Sequence, residues 1–175
     1  MVSDCSRTDK AAEMTDTKIE IRNLYKVFGV APDKVMEHVN AGISKQDLLD
    51  QYGHVLGLRN INISVQEKKI HVIMGLSGSG KSTLIRHINR LIEPTAGEVI
   101  VDGENVLGMS AEELREFRRH KASMVFQRFG LLPHRSVAQN VAYGLTIQGI
   151  SEGEANERSE RWINRVGLAG FEAHF

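Results

Sequence analysis

Apolar and polar positions alternate near the start of the chain. Ile19 and Ile21 alternate with Glu20 and Arg22, the period of a half-buried strand, so order is expected from Lys18. Leu24, Tyr25, Val27 and Phe28 carry the apolar content on to Gly29, and Leu58, Ile61, Ile63 and Val65 mark a second alternating strand. Residues 30–57 break the pattern between them. Pro32 opens this segment, Ser44 to Asp47 resembles a helix-capping box followed by Leu48 and Leu49, and Gly53 and Gly57 close it. A largely helical insertion over 30–57 is the expectation. Ile70 to Met74 is a nearly continuous apolar run, suited to a strand buried on both faces of a parallel sheet. A helix follows, with Leu84, Ile85, Ile88, Leu91 and Ile92 on one face and Pro94 and Gly97 ending it.

The later half repeats this grammar. Glu98 to Val101 reads as a short strand, and Asp102-Gly103 as a hairpin turn. Ser110 to Glu113 is a capping box for a charged helix through about His120. Ala122 to Phe126 is another apolar strand candidate, ending at Gln127. Pro133 starts a segment with Val137, Val141 and Leu145 at fourfold spacing. Ser151 to Glu154 caps a last amphipathic helix bearing Ala155, Trp162, Ile163 and Val166, with Gly167 as its stop. Strands alternating with helices make an α/β chain. Residues 1–17 are polar and read as a disordered tail, with Met14 an alternative start.

Composition narrows the class. Lys plus Arg and Asp plus Glu both number 22, so the formal net charge is zero. That argues against a dedicated nucleic-acid binder, which needs a basic surplus for phosphates. The single cysteine, Cys5, forms no internal disulfide. The apolar runs are too short for a membrane span, and the first residues lack a signal-peptide core. A soluble, intracellular chain is expected.

The chemistry concentrates at Gly75-Leu-Ser-Gly-Ser-Gly-Lys81-Ser82, which satisfies G-x-x-x-x-G-K-[ST]. Gly75, Gly78 and Gly80 let backbone wrap a phosphate without Cβ clashes. The N–H groups of about Ser77 to Thr83, including Ser79, then point inward at the positive end of a helix dipole. Lys81 supplies a mobile charge for β- and γ-phosphates, and the Ser82 hydroxyl can ligate Mg²⁺. A buried strand before the loop and an amphipathic helix after it are the context a phosphate cradle requires. ATP and Mg²⁺ are therefore the expected cofactors.

The loop followed by Val125, Phe126 and Gln127 resembles the ATP-binding subunit of an ABC transporter. More narrowly, NLYKVFG, GISKQDLL, VIMGLSGSGKSTLIRHINRLIEPTAGEV and MVFQRFGLLPH resemble the ATPase of glycine betaine/L-proline importers, over about residues 18–175. The resemblance implies the first part of a RecA-like P-loop core behind an antiparallel β portion, without the later core strands. It makes Gln127 the Q-loop glutamine, a catalytic residue and a second Mg²⁺ ligand, with a strand and Q-loop over 122–135. It gives Phe28 the adenine-stacking position, for which Tyr25 competes; both residues simply packing into the β portion is the alternative. Phe129, Leu131, Leu132 and Pro133 are either ordinary core or an apolar loop patch, which in the family meets the membrane subunit.

Further expectations come from the same resemblance. The partners are a membrane permease, a second ATPase subunit and, indirectly, a periplasmic or extracellular solute-binding protein; no nucleic acid is expected. The location is cytoplasmic, on the inner face of the cell membrane. An LSGG-type signature, an Asp-Glu Walker B strand and a switch histidine are absent before Phe175, so the chain reads as truncated, binding MgATP with negligible hydrolysis of its own. An edge lacking its partner strands is an aggregation hazard. A soluble P-loop kinase or GTPase and a non-catalytic remnant are the competing readings. Val99 to Asp102 imitates a Walker B strand but runs into Gly103, which favours a turn. Seven scattered histidines suggest no zinc site. The basic cluster Arg115, Arg118, Arg119, His120 and Lys121, on a helix with Glu112, Glu113 and Glu116, reads as an ion-paired, solvated face.

Overall fold

A computed structural model describes residues 17–126 and 130–175. The chain divides into two compact units, Met1–Met109 and Ser110–Phe175. The tail expected over 1–17 lies outside the described residues apart from Thr17, which already belongs to a strand.

The first unit is built on a four-stranded antiparallel sheet. Its strands are β1 (Thr17–Phe28), β2 (Val55–Gln66), β3 (Ala96–Val101) and β4 (Glu104–Asn105), in the order β2-β1-β3-β4. The two long strands do not run in unbroken register. Bulges fall where Ile21 opposite Ile63 gives way to Leu24 opposite Ile61, and where Leu24 opposite Ile61 gives way to Lys26 opposite Leu58. Asn23 and Asn60 occupy these irregular positions at φ +47° and +48°, a left-handed conformation that asparagine tolerates better than most residues. Asn62 Oδ1 accepts the Asn23 N–H at 2.8 Å and closes the first bulge. A third slip lies between Lys26, opposite Leu58, and Val27, opposite Leu56, so Gly57 is the extra residue on β2.

The β3–β4 hairpin turns at Asp102 and Gly103, both at positive φ. Lys18 Nζ meets Asp102 Oδ1 at 2.6 Å, and that hydrogen bond raises the lysine above its ordinary pKa. Asp102 is thus a turn residue tied to β1. The apolar face of the sheet, with Ile21, Leu24, Val99 and Val101, is buried.

Between β1 and β2 the chain forms a 3-10 turn at Pro32–Val35, α1 (Met36–Asn40) and α2 (Lys45–Tyr52). Ser44 caps α2 by accepting the Asp47 N–H, and Gly53 ends it at φ +65°. Val35, Val39 and Leu48 close over Val27 and Leu56 in one buried cluster, with Tyr25, Met36 and Ile43 packed around it. His54 fixes the seam. Its Nδ1 lies 2.6 Å from Tyr52 O and its Nε2 2.9 Å from Val30 O, and its ring fills the space beside Gly29 that a Cβ would need.

The parallel strand expected at 70–74 does not form. Residues 70–74 take no regular secondary structure, and Ile70 is 96% exposed. A strand buried on both faces needs ladder partners and covering layers. Among the described residues the only sheet is the antiparallel one, and it offers this run neither. The same holds for 122–126 in the second unit, where Val125 is exposed and no strand forms.

The second unit is helical among its described residues: α4 (Ala111–His120), α5 (Val137–Ile147) and α6 (Glu152–Arg165). Ser110 with Glu113 and Ser136 with Gln139 make reciprocal capping boxes. Ser151 caps α6. Arg119 and His120 pair with Glu116 on α4, as an ion-paired face requires. Asn140 accepts the Leu132 N–H and donates to the carbonyls of Leu132, Arg135 and Ser136, which fixes the loop entering α5. Leu131 and Pro133 on that loop are exposed, so they are not core. No helix among the described residues is long and apolar enough to cross a membrane.

Candidate nucleotide site

The loop Gly75–Gly80 leads into α3 (Lys81–Ile88) within the first unit. Gly80 caps the helix at φ +96°, and Gly78 lies at φ +76° with open space where a Cβ would project. A Cβ on Gly75 would lie 2.8 Å from Ser79 Oγ. The turn therefore depends on glycine at 78 and 80 for conformation and at 75 for room. Ser77 and Ser79 are exposed on it, and the Ser79 N–H donates to Leu76 O at 3.2 Å.

The first helical bond runs from Leu84 N to Gly80 O at 2.8 Å. Lys81, Ser82 and Thr83 are first-turn residues, whose N–H groups have no carbonyl within the helix to bind. Lys81 curls back over the loop, and its Nζ donates to Gly75 O at 2.8 Å and Leu76 O at 2.7 Å. One ammonium, several unclaimed amides and the exposed Ser82 hydroxyl converge on one small turn. This donor set fits a polyphosphate carrying a hard divalent cation: amides and ammonium for phosphate oxygens, hydroxyl oxygen for the metal.

Helix α3 is shorter than its apolar pattern suggests. It stops at Ile88, Arg90 turns back at φ +52°, and Ile85 and Leu91 are exposed. Leu84 and His87 supply the buried face instead. His87 is fully buried; its Nδ1 lies 2.7 Å from Thr83 O, while Nε2 has no partner. Desolvation holds its pKa below the ordinary value, and nearby Lys26 adds to this; the Thr83 carbonyl and Glu93 act in the opposite direction. Sequence reading passed over His87 because a polar residue on a helix carries no sign of which face will be buried.

The two aromatic candidates separate. Tyr25 packs against the cluster beneath α1 and α2. Phe28 is 40% exposed, and Gly57 adjoins both it and the loop: a Cβ on Gly57 would meet the Phe28 ring, and the Gly57 carbonyl bounds Gly80. Lys26 Nζ sits 5.1 Å from the centroid of the Phe28 ring and donates to Glu93 O at 2.7 Å. Gln127 and Phe129 lie outside the described residues.

A glycine-rich turn of this geometry agrees with a wider comparison. The family model described as ABC transporter matches residues 58–175. The chain belongs to the ABC transporter family. It is 46% identical over 154 residues to the glycine betaine/proline betaine transport system ATP-binding protein ProV of Escherichia coli (strain K12), covering 88% of this chain and 38% of that protein. It is 44% identical over 158 residues to the glycine betaine transport ATP-binding protein OpuAA of Bacillus subtilis (strain 168), covering 90% and 38%. The chain thus spans less than half the length of these relatives. Among solved structures it is similar to a dimeric ATP-binding cassette in a post-hydrolysis state bound to ADP and Pi. That likeness has a TM-score of 0.71 and 28% identity, and covers 89% of this chain and 60% of that one. The fold is part of a mixed α/β ABC cassette, represented among the described residues by its antiparallel sheet, the glycine-rich loop and the helices.

Proposed function

We propose that this chain is the nucleotide-binding part of an ABC importer ATPase for a small quaternary-amine osmolyte such as glycine betaine or a proline-type solute. The observation that carries the reading is the loop at 75–83, with Lys81 lying across its carbonyls beside the unclaimed amides of the α3 N-terminus. Lys81 exchanges the carbonyls of Gly75 and Leu76 for β- and γ-phosphate oxygens, and the amides of Lys81, Ser82 and Thr83 hold the remaining oxygens. Ser82 and Gln127 would hold Mg²⁺, which would neutralise phosphate charge when bound. Gln127 also orients water at the γ-phosphate. Phe28 offers its exposed ring to adenine.

Relatives named for betaine transport support the solute class, and the dimeric cassette supports pairing with a second ATPase subunit. The remaining partners are a membrane permease and, through it, a solute-binding protein, which puts the ATPase on the inner face of the membrane. These 175 residues contain no signature segment and no Asp-Glu Walker B strand, so this chain binds MgATP and turns over negligibly unaided. Titration calorimetry with MgATP tests the reading. Lys81→Ala removes a charge-assisted contact and weakens binding about 10- to 100-fold. Binding unchanged by Lys81→Ala refutes a phosphate role for the loop. ATP turnover at ordinary ATPase rates by this chain refutes the second statement.

A further inference from the structure

We propose that Gly57, on β2 and outside the phosphate loop, is a positioning residue: its bulge sets the Phe28 ring against the phosphate cradle. This rests on the reading of Phe28 as the adenine platform. Two independent observations meet at Gly57. First, it is the unmatched residue where the β1–β2 register slips between Lys26 and Val27. A bulge of this kind re-aims the side chains beside it, and Phe28 lies just past Val27 on the partner strand. Second, Gly57 is a spacer with two occupied sides. A Cβ on it would lie 2.7 Å from Phe28 Cε2, while its own carbonyl oxygen lies 2.9 Å from the position of a Cβ on Gly80. The residue without a side chain thus adjoins both the ring that would carry the base and the glycine that starts α3.

The consequence is specific. Gly57 does not sit at positive φ, so alanine meets no backbone strain there. The nearest atom is the far end of a half-exposed side chain, which can move; the Lys26 carbonyl oxygen, 3.3 Å from that Cβ, needs to give by only a few tenths of an ångström. Carbon atoms rest 3.5–4.0 Å apart, so the added methyl displaces the ring edge by about 1 Å, far more than the small shift the Lys26 carbonyl requires between β1 and β2. The phosphate grip is left intact and the stacking distance is spoiled. Base stacking on an aromatic side chain contributes enough for a partial loss of about fivefold in affinity.

The test uses the full chain and two ligands, MgATP and magnesium tripolyphosphate, the second having phosphates but no base. Gly57→Ala should weaken ATP about fivefold and leave tripolyphosphate within twofold, and Gly57→Ser, which adds the same Cβ, should show the same split. ATP binding unchanged in both variants, or parallel loss of both ligands, overturns the proposal. Phe28→Ala separates the two layers of the argument. If it weakens ATP alone while the Gly57 variants bind normally, the platform stands and the positioning role falls. If it leaves ATP binding unchanged, the platform itself is wrong.

Discussion

Replacing either of two loop glycines with alanine separates conformational strain from steric contact. Gly78 and Gly80 both lie at positive φ, +76° and +96°. Forcing an L side chain into the left-handed region costs about 1–2 kcal/mol at either position. The surroundings differ. Nothing lies within 4 Å of a Cβ on Gly78, whereas a Cβ on Gly80 would sit 2.9 Å from both Gly57 O and Leu58 Cδ2. Leu58 is buried, and the Gly57 carbonyl is backbone in β2 and can yield only if the strand moves or α3 lifts away. Overpacking of this sort adds about 1–3 kcal/mol. Gly78→Ala should therefore destabilise by about 1–2 kcal/mol and Gly80→Ala by about 2–5 kcal/mol. Urea unfolding followed by circular dichroism measures both, read from the midpoint at constant slope. Equal losses in the two variants would show that the helix start does not rest on β2 and would refute the packing described here.

Three other outcomes follow from the same contacts. Lys81→Ala should weaken MgATP about 10- to 100-fold in calorimetry with little effect on the urea midpoint, because its partners are exposed loop carbonyls. Leu48→Ala should cost about 2–5 kcal/mol, since this fully buried side chain closes the cluster under α1 and α2; a loss below about 1 kcal/mol would show that the insertion does not pack on the sheet. Burial lowers the pKa of His87, so the unfolded chain binds that proton more tightly. Its share of stability is complete above the ordinary histidine value near 6.5 and falls as pH drops through it. His87→Leu should flatten that acid limb in midpoints measured from pH 7.5 to 5, and an unchanged slope would remove His87 as its source.

Local chemistry was decided by the sequence alone. The G-x-x-x-x-G-K-[ST] run specifies its turn because glycine adopts those angles without strain and leaves that room, and the helix that follows supplies free amides whatever surrounds it. Serine caps at 44, 110 and 151 mark helix starts for the same reason: each bond closes within three residues. The Asp102-Gly103 turn belongs to this class. Alternation likewise identified β1 and β2 because one face of an antiparallel sheet is buried and the other is wet.

Tertiary structure decided whatever depends on distant neighbours. Ile70–Met74 and Ala122–Phe126 carry strand-like runs, but a strand exists only through the ladder it joins, and that ladder lies beyond anything five residues encode. The same holds for His87, whose burial reflects which side of α3 meets the sheet. The choice between Tyr25 and Phe28 follows this rule too. They are three residues apart with similar rings, and it took an insertion folding over Val27 to pack Tyr25 under the helices while Phe28 stays exposed.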